Sequence, residues 1–221
     1  MSMSEVVQHE CPKCHEKSDF TIWRSINTML DPELKQKIKD GSLFQFACPH
    51  CGEKTNVLYP FLYHQMEDRI MIQLAGDRNE VEEFKVFLSQ KPDFEVLDWK
   101  QNGYVVRIVT TLPDLLEKIA IFDAKLDDRI IEISKLIIRA KGGAGVPKIA
   151  KALFFDDPEN GHIIILYNEA EKAFGNARLT DDLYKNLCES FMEKLPDFGT
   201  GVLEVDAGWA LEFLKGLPKT N

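Results

Sequence analysis

The sequence lacks the features that mark secreted and membrane proteins. Residues 1–10 contain neither a basic segment nor an apolar one, so we expect no secretory signal there. No apolar run approaches the roughly 18 residues that a transmembrane helix needs. Cysteine is scarce, with 5 among 221 residues, and Cys188 has no other cysteine near it in sequence. A cytoplasmic protein with reduced thiols fits these absences best.

Positive charge is also in short supply. The chain has 27 basic and 36 acidic residues, which gives a formal charge of −9. Segments 1–66, 67–146 and 147–221 carry −1, −3 and −5, so none of them is basic. Nucleic-acid binding depends on clustered lysine and arginine that neutralise phosphates. The charge therefore disfavours a nucleic-acid partner, although a local basic patch remains open.

Four of the five cysteines form two pairs of one pattern, Cys11-Pro12-Lys13-Cys14 and Cys48-Pro49-His50-Cys51. Two residues between the cysteines let both thiolates bind one ion from a single turn. Two such turns complete a four-sulfur site, which zinc prefers. Because four thiolates leave no position for water, the spacing predicts a structural ion rather than a catalytic one.

Other chemistries remain open for the same cysteines. Iron fits the same cage, and either pair could act as a redox dithiol or form a disulfide. Residues 11–15 also match the C-x-x-C-H pattern of haem attachment, although that chemistry usually belongs outside the cytosol. His15 and His50 adjoin the pairs, and each could replace a cysteine as a ligand.

The order of apolar patterns predicts an α+β fold that begins with a zinc-ribbon-like knuckle lobe at residues 1–66, which we call the metal lobe. Its two pairs are separated by 33 residues, which a strand–helix–strand insertion can fill. The predicted elements are strand 20–26, helix 31–40, strand 43–47 and strand 55–63. Asp31 and Pro32 are typical of a helix start, and Gly41 is typical of a helix end.

Mixed α/β-hairpin regions follow the metal lobe. Residues 67–140 are predicted to contain strand 69–74, helix 77–89, a hairpin of 94–99 with 104–110 around Asn102-Gly103, helix 112–122 and helix 127–140. The last helix is so rich in isoleucine and leucine that we expect it to pack between two lobes or against a second subunit. The pattern does not separate these two arrangements, so the partner stays unknown, and a protein partner or another copy of this chain is one of the open alternatives.

A glycine-rich segment, residues 141–147, is the predicted boundary between a domain at 1–140 and a C-terminal α+β subdomain at 147–221. The predicted elements beyond it are a hairpin of 152–155 with 162–167, a helix that Thr180 caps, strand 201–205 and helix 207–214.

The cysteine motifs, together with Asp31-Pro32-Glu33-Leu34, Gly41-Ser42-Leu43-Phe44 and the stretch from Phe122 to Arg129, resemble the CpXC protein family of bacteria and archaea. The resemblance covers about residues 9–140. It implies metal binding by Cys11, Cys14, Cys48 and Cys51. It supplies neither a substrate nor a catalytic residue.

Three functions of different classes follow as hypotheses. The first is a non-enzymatic, zinc-stabilised interaction module, because no nucleophile–base pair stands out. The second is a nucleic-acid-associated zinc ribbon. Its basic residues would be Lys13, Lys17, Arg24, Lys35, Lys37, Lys39 and Lys54. The third is an enzyme with a site at the lobe junction. That site would use Asp123, Asp127, Asp128 and Arg129, which could also hold a cation or dock a partner.

Overall fold

Two compact units make up the chain. The structure is a computed structural model. It describes residues 2–89, 102–140, 148–197 and 203–218. The first unit is built from the described residues up to Leu116, and the second from those starting at Glu117. None of the helices in these residues is long and apolar enough to cross a membrane.

Strands dominate the described part of the first unit. Its elements are β1 (Met3–Glu10), β2 (Lys17–Asn27), α1 (Pro32–Lys39), β3 (Gln45–Ala47), β4 (Lys54–Asn56), β5 (Phe61–Gln65), β6 (Ile70–Leu74), α2 (Arg78–Ser89), β7 (Val105–Val109) and the start of α3 (Leu112–Asp123). Five strands form one sheet in the order β1-β2-β5-β6-β7, while β3 and β4 form a separate hairpin. β2 pairs with β5 and β6 with β7 in parallel, and the other neighbours are antiparallel.

Apolar periodicity explains the core of this unit. β5 and β6 alternate between buried and half-buried side chains, and Tyr63 and Ile72 are fully buried. α1 buries Leu34 and Ile38, which are four residues apart and so lie on one helix face. The helix ends as predicted, with Gly41 in the left-handed region at φ 78°.

Two predictions near the metal lobe were wrong in detail. Predicted strand 43–47 begins with a 3₁₀ turn at Ser42–Phe44, and only Gln45–Ala47 pairs with a neighbour. Predicted strand 55–63 is divided into β4 and β5, and Pro60 lies between them because it has no N–H to donate to a ladder. Asp31 precedes α1 as expected, but its side chain makes no capping hydrogen bond.

The second unit combines helices with a small sheet. It contains the end of α3, α4 (Asp128–Ala140), β8 (Lys151–Asp157), β9 (Gly161–Tyr167), β10 (Ala173–Arg178), α5 (Asp181–Phe191) and α6 (Ala207–Gly216). The sheet order is β10-β9-β8, and both pairs are antiparallel. One core cluster joins Ile121, Ile131, Phe154 and Leu179.

The structure confirms most predicted elements of the second unit. The hairpin of β8 and β9 forms, and the Thr180 hydroxyl caps α5 by accepting the N–H of Leu183. β10 was not predicted, and the described residues 203–205 of predicted strand 201–205 are irregular. Predicted strand 94–99 and the predicted boundary at 141–147 lie outside the described residues, so the domain division at that point stays a prediction.

Candidate metal centre

The first cysteine pair forms a tight turn between β1 and β2. The N–H of Cys11 donates to the carbonyl of Glu16 at 3.0 Å, which closes the end of the strand pair. The N–H of His15 donates to the carbonyl of Cys11 at 2.9 Å. His15 adopts φ 60°, in the left-handed region. The turn thus brings Cys11 and Cys14 to one side of the ribbon end.

The second pair repeats this turn between β3 and β4. The N–H of Cys48 donates to the carbonyl of Glu53 at 2.8 Å, and the N–H of Gly52 donates to the carbonyl of Cys48 at 2.9 Å. Gly52 adopts φ 75°, the conformation of its counterpart His15. The two knuckles therefore share one backbone geometry.

The four sulfurs converge on one point. Sγ of Cys11 lies 3.7 Å from that of Cys51, and Sγ of Cys14 lies 3.6 Å from that of Cys48. All four Sγ atoms lie within 4.8 Å of one another, so they could hold a metal ion. A tetrahedral ion with bonds of about 2.3 Å requires sulfurs about 3.8 Å apart. The cysteines are free thiols, and a disulfide would need about 2.05 Å.

Backbone N–H groups favour the thiolate of Cys11. The N–H of Cys14 makes the largest contribution, and the N–H of Lys13 and hydrogen bonds with the thiols of Cys48 and Cys51 add to it. Together they lower the pKa of the Cys11 thiol to about 6 against the opposing effect of burial. A hydrogen bond stabilises the charged sulfur more than the neutral one. The knuckle is thus shaped to present an anionic ligand, as the turn spacing predicted.

The thiols of Cys14 and Cys51 ionise less readily than that of Cys11. The N–H of Glu16 lowers the pKa of the Cys14 thiol, but desolvation and three neighbouring thiols raise it to about 12. The pKa of Cys51 is raised too, although the N–H of Glu53 opposes that change. A divalent cation between the sulfurs would remove this conflict, and its binding would release protons.

Aromatic side chains pack against the four-cysteine cluster. Cys11 and Cys48 are buried and pack with Phe46, while Phe20 and Val57 border them. The rings of Phe20 and Phe46 meet edge to face at 5.7 Å. The aromatic residues near the cysteines therefore serve as core.

Neither histidine that adjoins the pairs belongs to the cluster. Among the described residues, the group that could hold a metal contains the four cysteines alone. His15 points to Glu10, with Nδ1 3.3 Å from Oε1, and His50 is exposed. His9 and His64 are partly buried, His9 with its ring 4.6 Å from that of Phe46.

The two knuckles have different residues at their left-handed positions, His15 in the first and Gly52 in the second, and this difference gives a matched test. His15→Gly should raise the free energy of unfolding of the metal-loaded protein by about 1 kcal/mol, because glycine tolerates positive φ. Gly52→Ala should lower it by a similar amount, since no atom lies within 4 Å of the added Cβ and strain is its main cost. Urea unfolding measures both. Shifts of the same sign would contradict this account of the turns.

The acidic segment that follows α3 is engaged inside the second unit. Asp127 pairs with Arg129, with Oδ2 2.6 Å from Nη2. The Asp127 N–H donates to the Tyr184 hydroxyl at 2.8 Å. Asp128 is fully buried, and its Oδ2 lies 2.9 Å from Nζ of Lys118. These contacts give structural roles to Asp127, Asp128 and Arg129, three of the residues that the enzyme hypothesis used.

Asp128 belongs to a buried network of ion pairs. We call it the charge network, and its members are Glu117, Lys118, Asp128, Glu132 and Lys135. Nζ of Lys135 lies 3.0 Å from Glu117 Oε1 and 2.8 Å from Glu132 Oε1. Burial would lower the pKa of Lys135, but these two carboxylates outweigh it and raise that pKa to about 12. Lys118 also donates to the Val205 carbonyl at 2.7 Å.

Sequence reasoning missed the charge network. α4 was expected to be buried through its aliphatic residues, and Asp128 to Lys135 are all buried. A helix buried on all sides must also bury the charges on its polar positions, here Glu132 and Lys135. Buried charges require partners of opposite sign, but the pattern of α4 alone does not say which residues of α3 supply them.

Three basic residues of the metal lobe contact polar side chains, two of them acidic. Lys13 pairs with Glu53 at 3.1 Å, and Arg24 pairs with Glu5 at 2.6 Å. Lys35 donates to the side-chain oxygen of Gln65. Nothing in these contacts favours the nucleic-acid hypothesis.

Comparisons with known proteins identify the family of the chain. Curated protein sequences gave no match, and solved structures gave none either. A protein-family model described as CpXC protein matches residues 9–135, which contain both knuckles and most of α4. Since this match covers more than half of the chain, the protein belongs to the CpXC family.

Proposed function

We propose that the protein binds one zinc ion through Cys11, Cys14, Cys48 and Cys51, and that the ion stabilises an interaction module. The supporting observation is the convergence of four sulfurs from two matching knuckles within 4.8 Å. We further propose that it works in a reducing compartment, the cytoplasm, because all five cysteines are free thiols.

The donor set supports a structural role for the ion. Four thiolates fill the tetrahedral coordination of zinc and leave no position for water or substrate. The ion would join two short ribbons, β1–β2 and β3–β4, that end at the knuckles. An ion in this position would hold the two ribbons together and so shape the surface around them. It would not take part in a reaction. Iron in the same cage is the main alternative identity.

Elemental analysis of the purified protein tests the proposal. We expect about one zinc per chain in the wild type and in Cys188→Ser, because Cys188 lies outside the four-cysteine cluster. Cys48→Ser should lose most of the metal, since serine is a poor ligand for zinc. Iron in place of zinc would overturn the identity of the metal, and a metal-free wild type would overturn the proposal as a whole.

A further inference from the structure

β1 leaves one side of the five-stranded sheet open. It is the outer strand in the order β1-β2-β5-β6-β7, and no described residue pairs with its other side. Val6 in its middle is 62% exposed. Natural edge strands are commonly protected by lysine or proline, and β1 contains neither. Its bulge lies at its start, between Met3 and Ser4. The strand is thus eight residues long and open to pairing.

The ladder with β2 shows which backbone groups face outward. The N–H of Cys11 points at β2, since it donates to Glu16, and the register with β2 is regular from Ser4 to Glu10. In an antiparallel pair, hydrogen-bonded residues alternate with non-bonded ones. Glu5, Val7 and His9 therefore bond to β2. The N–H and C=O groups directed outward are those of Ser4, Val6, Gln8 and Glu10.

This outward row is complementary to itself. A two-fold axis at Val7 places Val6 opposite Gln8 of a second copy and Ser4 opposite its Glu10. All four outward residues of each strand then pair, which gives about eight backbone hydrogen bonds, two for each bonded pair. An axis at Val6 would use fewer residues of β1 and would extend past the bulge.

Charge favours the same register. With the axis at Val7, Glu5 lies opposite His9 of the second copy, and this pair occurs twice. No carboxylate faces another directly, so the pairing avoids the repulsion that like charges opposite each other cause. The exposed Val6 side chain is covered in the process.

We propose that β1 is a dimer interface that pairs antiparallel with β1 of a second copy and joins two five-stranded sheets into one. This names the partner of the proposed interaction module and rests on that proposal. A strand-to-strand contact is smaller than the standard interface of about 1,600 Å². The protein should therefore be mostly dimeric at a chain concentration of roughly 100 µM and mostly monomeric at about 1 µM.

Sedimentation of the full, metal-loaded chain across this concentration range tests the dimer. Val6→Pro should abolish it, because it removes an outward N–H and leaves the bonds to β2 in place. Val6→Thr keeps the N–H and the branched shape, so the dissociation constant of its dimer should differ from that of the wild type by less than about threefold. A wild type that stays monomeric at 100 µM, or a Val6→Pro variant that dimerises as well as wild type, would overturn the proposal.

Amide hydrogen exchange at both concentrations tests the register without any substitution. The amides of Ser4, Val6, Gln8 and Glu10 should gain protection at high concentration, while those of Glu5, Val7 and His9 should be protected at both. Uniform change along β1 would contradict the proposed pairing. Metal content of the same samples separates the two proposals, because one zinc per monomeric chain would reject the dimer alone.

Discussion

Chelation of the metal should unfold the two knuckles and leave the second unit folded. β3 and β4 pair through three residues each and form their own two-stranded sheet. Such a hairpin is not stable by itself in water. A structural zinc contributes on the order of 10 kcal/mol to folding in small metal domains, so its loss should release the hairpin and the knuckle ends of β1 and β2.

Hydrogen exchange before and after chelation measures this loss by segment. Amides of β3 and β4 should lose nearly all protection, and amides of β8 and β9 should keep theirs as an internal control. Addition of zinc should restore the first set. Protection in β3 and β4 that survives complete metal removal would show that the ion is not structural.

Lys135→Met should destabilise the second unit by about 3–5 kcal/mol, because it leaves the buried carboxylates of Glu117 and Glu132 without their shared cation. Burial raises the pKa of Glu117 even with Lys135 present, so without the ammonium we expect the carboxyl to be forced further toward its neutral form. Thermal and urea unfolding, followed by a signal from the second unit, measure the change.

Lys148→Met is the matched control for that variant. Nζ of Lys148 lies 2.8 Å from Oε1 of Glu169, the same distance as in the Lys135–Glu132 pair, but its side chain is 80% exposed against 8% for Lys135. Exposed pairs contribute about 0–1 kcal/mol. If the two substitutions lowered the free energy of unfolding equally, burial would not explain the contribution of the charge network to stability.

Short-range sequence patterns were sufficient to predict the knuckles and most helices. The Cys-Pro-x-Cys spacing predicted two tight turns that present thiolates, and the lowered pKa of Cys11 agrees with that prediction. Pro32 and Gly41 marked the ends of α1 because their backbone preferences act within one turn. The spacing implied a shared ion, and the four Sγ atoms lie close enough together to hold one.

Features that depend on distant partners could not be predicted in this way. β1 has mostly exposed side chains, so it lacks the alternation by which a strand is recognised, and only its pairing with β2 defines it. The charge network joins α3 and α4 through charges that would be solvated on an exposed helix. Their burial depends on how the helices pack, which one-dimensional patterns do not specify.

X-ray absorption at the zinc edge of the purified protein measures directly whether four sulfurs close the metal site. We expect one shell of four sulfur atoms at about 2.3 Å, with no oxygen or nitrogen ligand. Such a shell would mean that Cys11, Cys14, Cys48 and Cys51 close the site, as the positions of their Sγ atoms allow. A shell with fewer sulfurs and a water or histidine ligand would contradict a closed, structural ion.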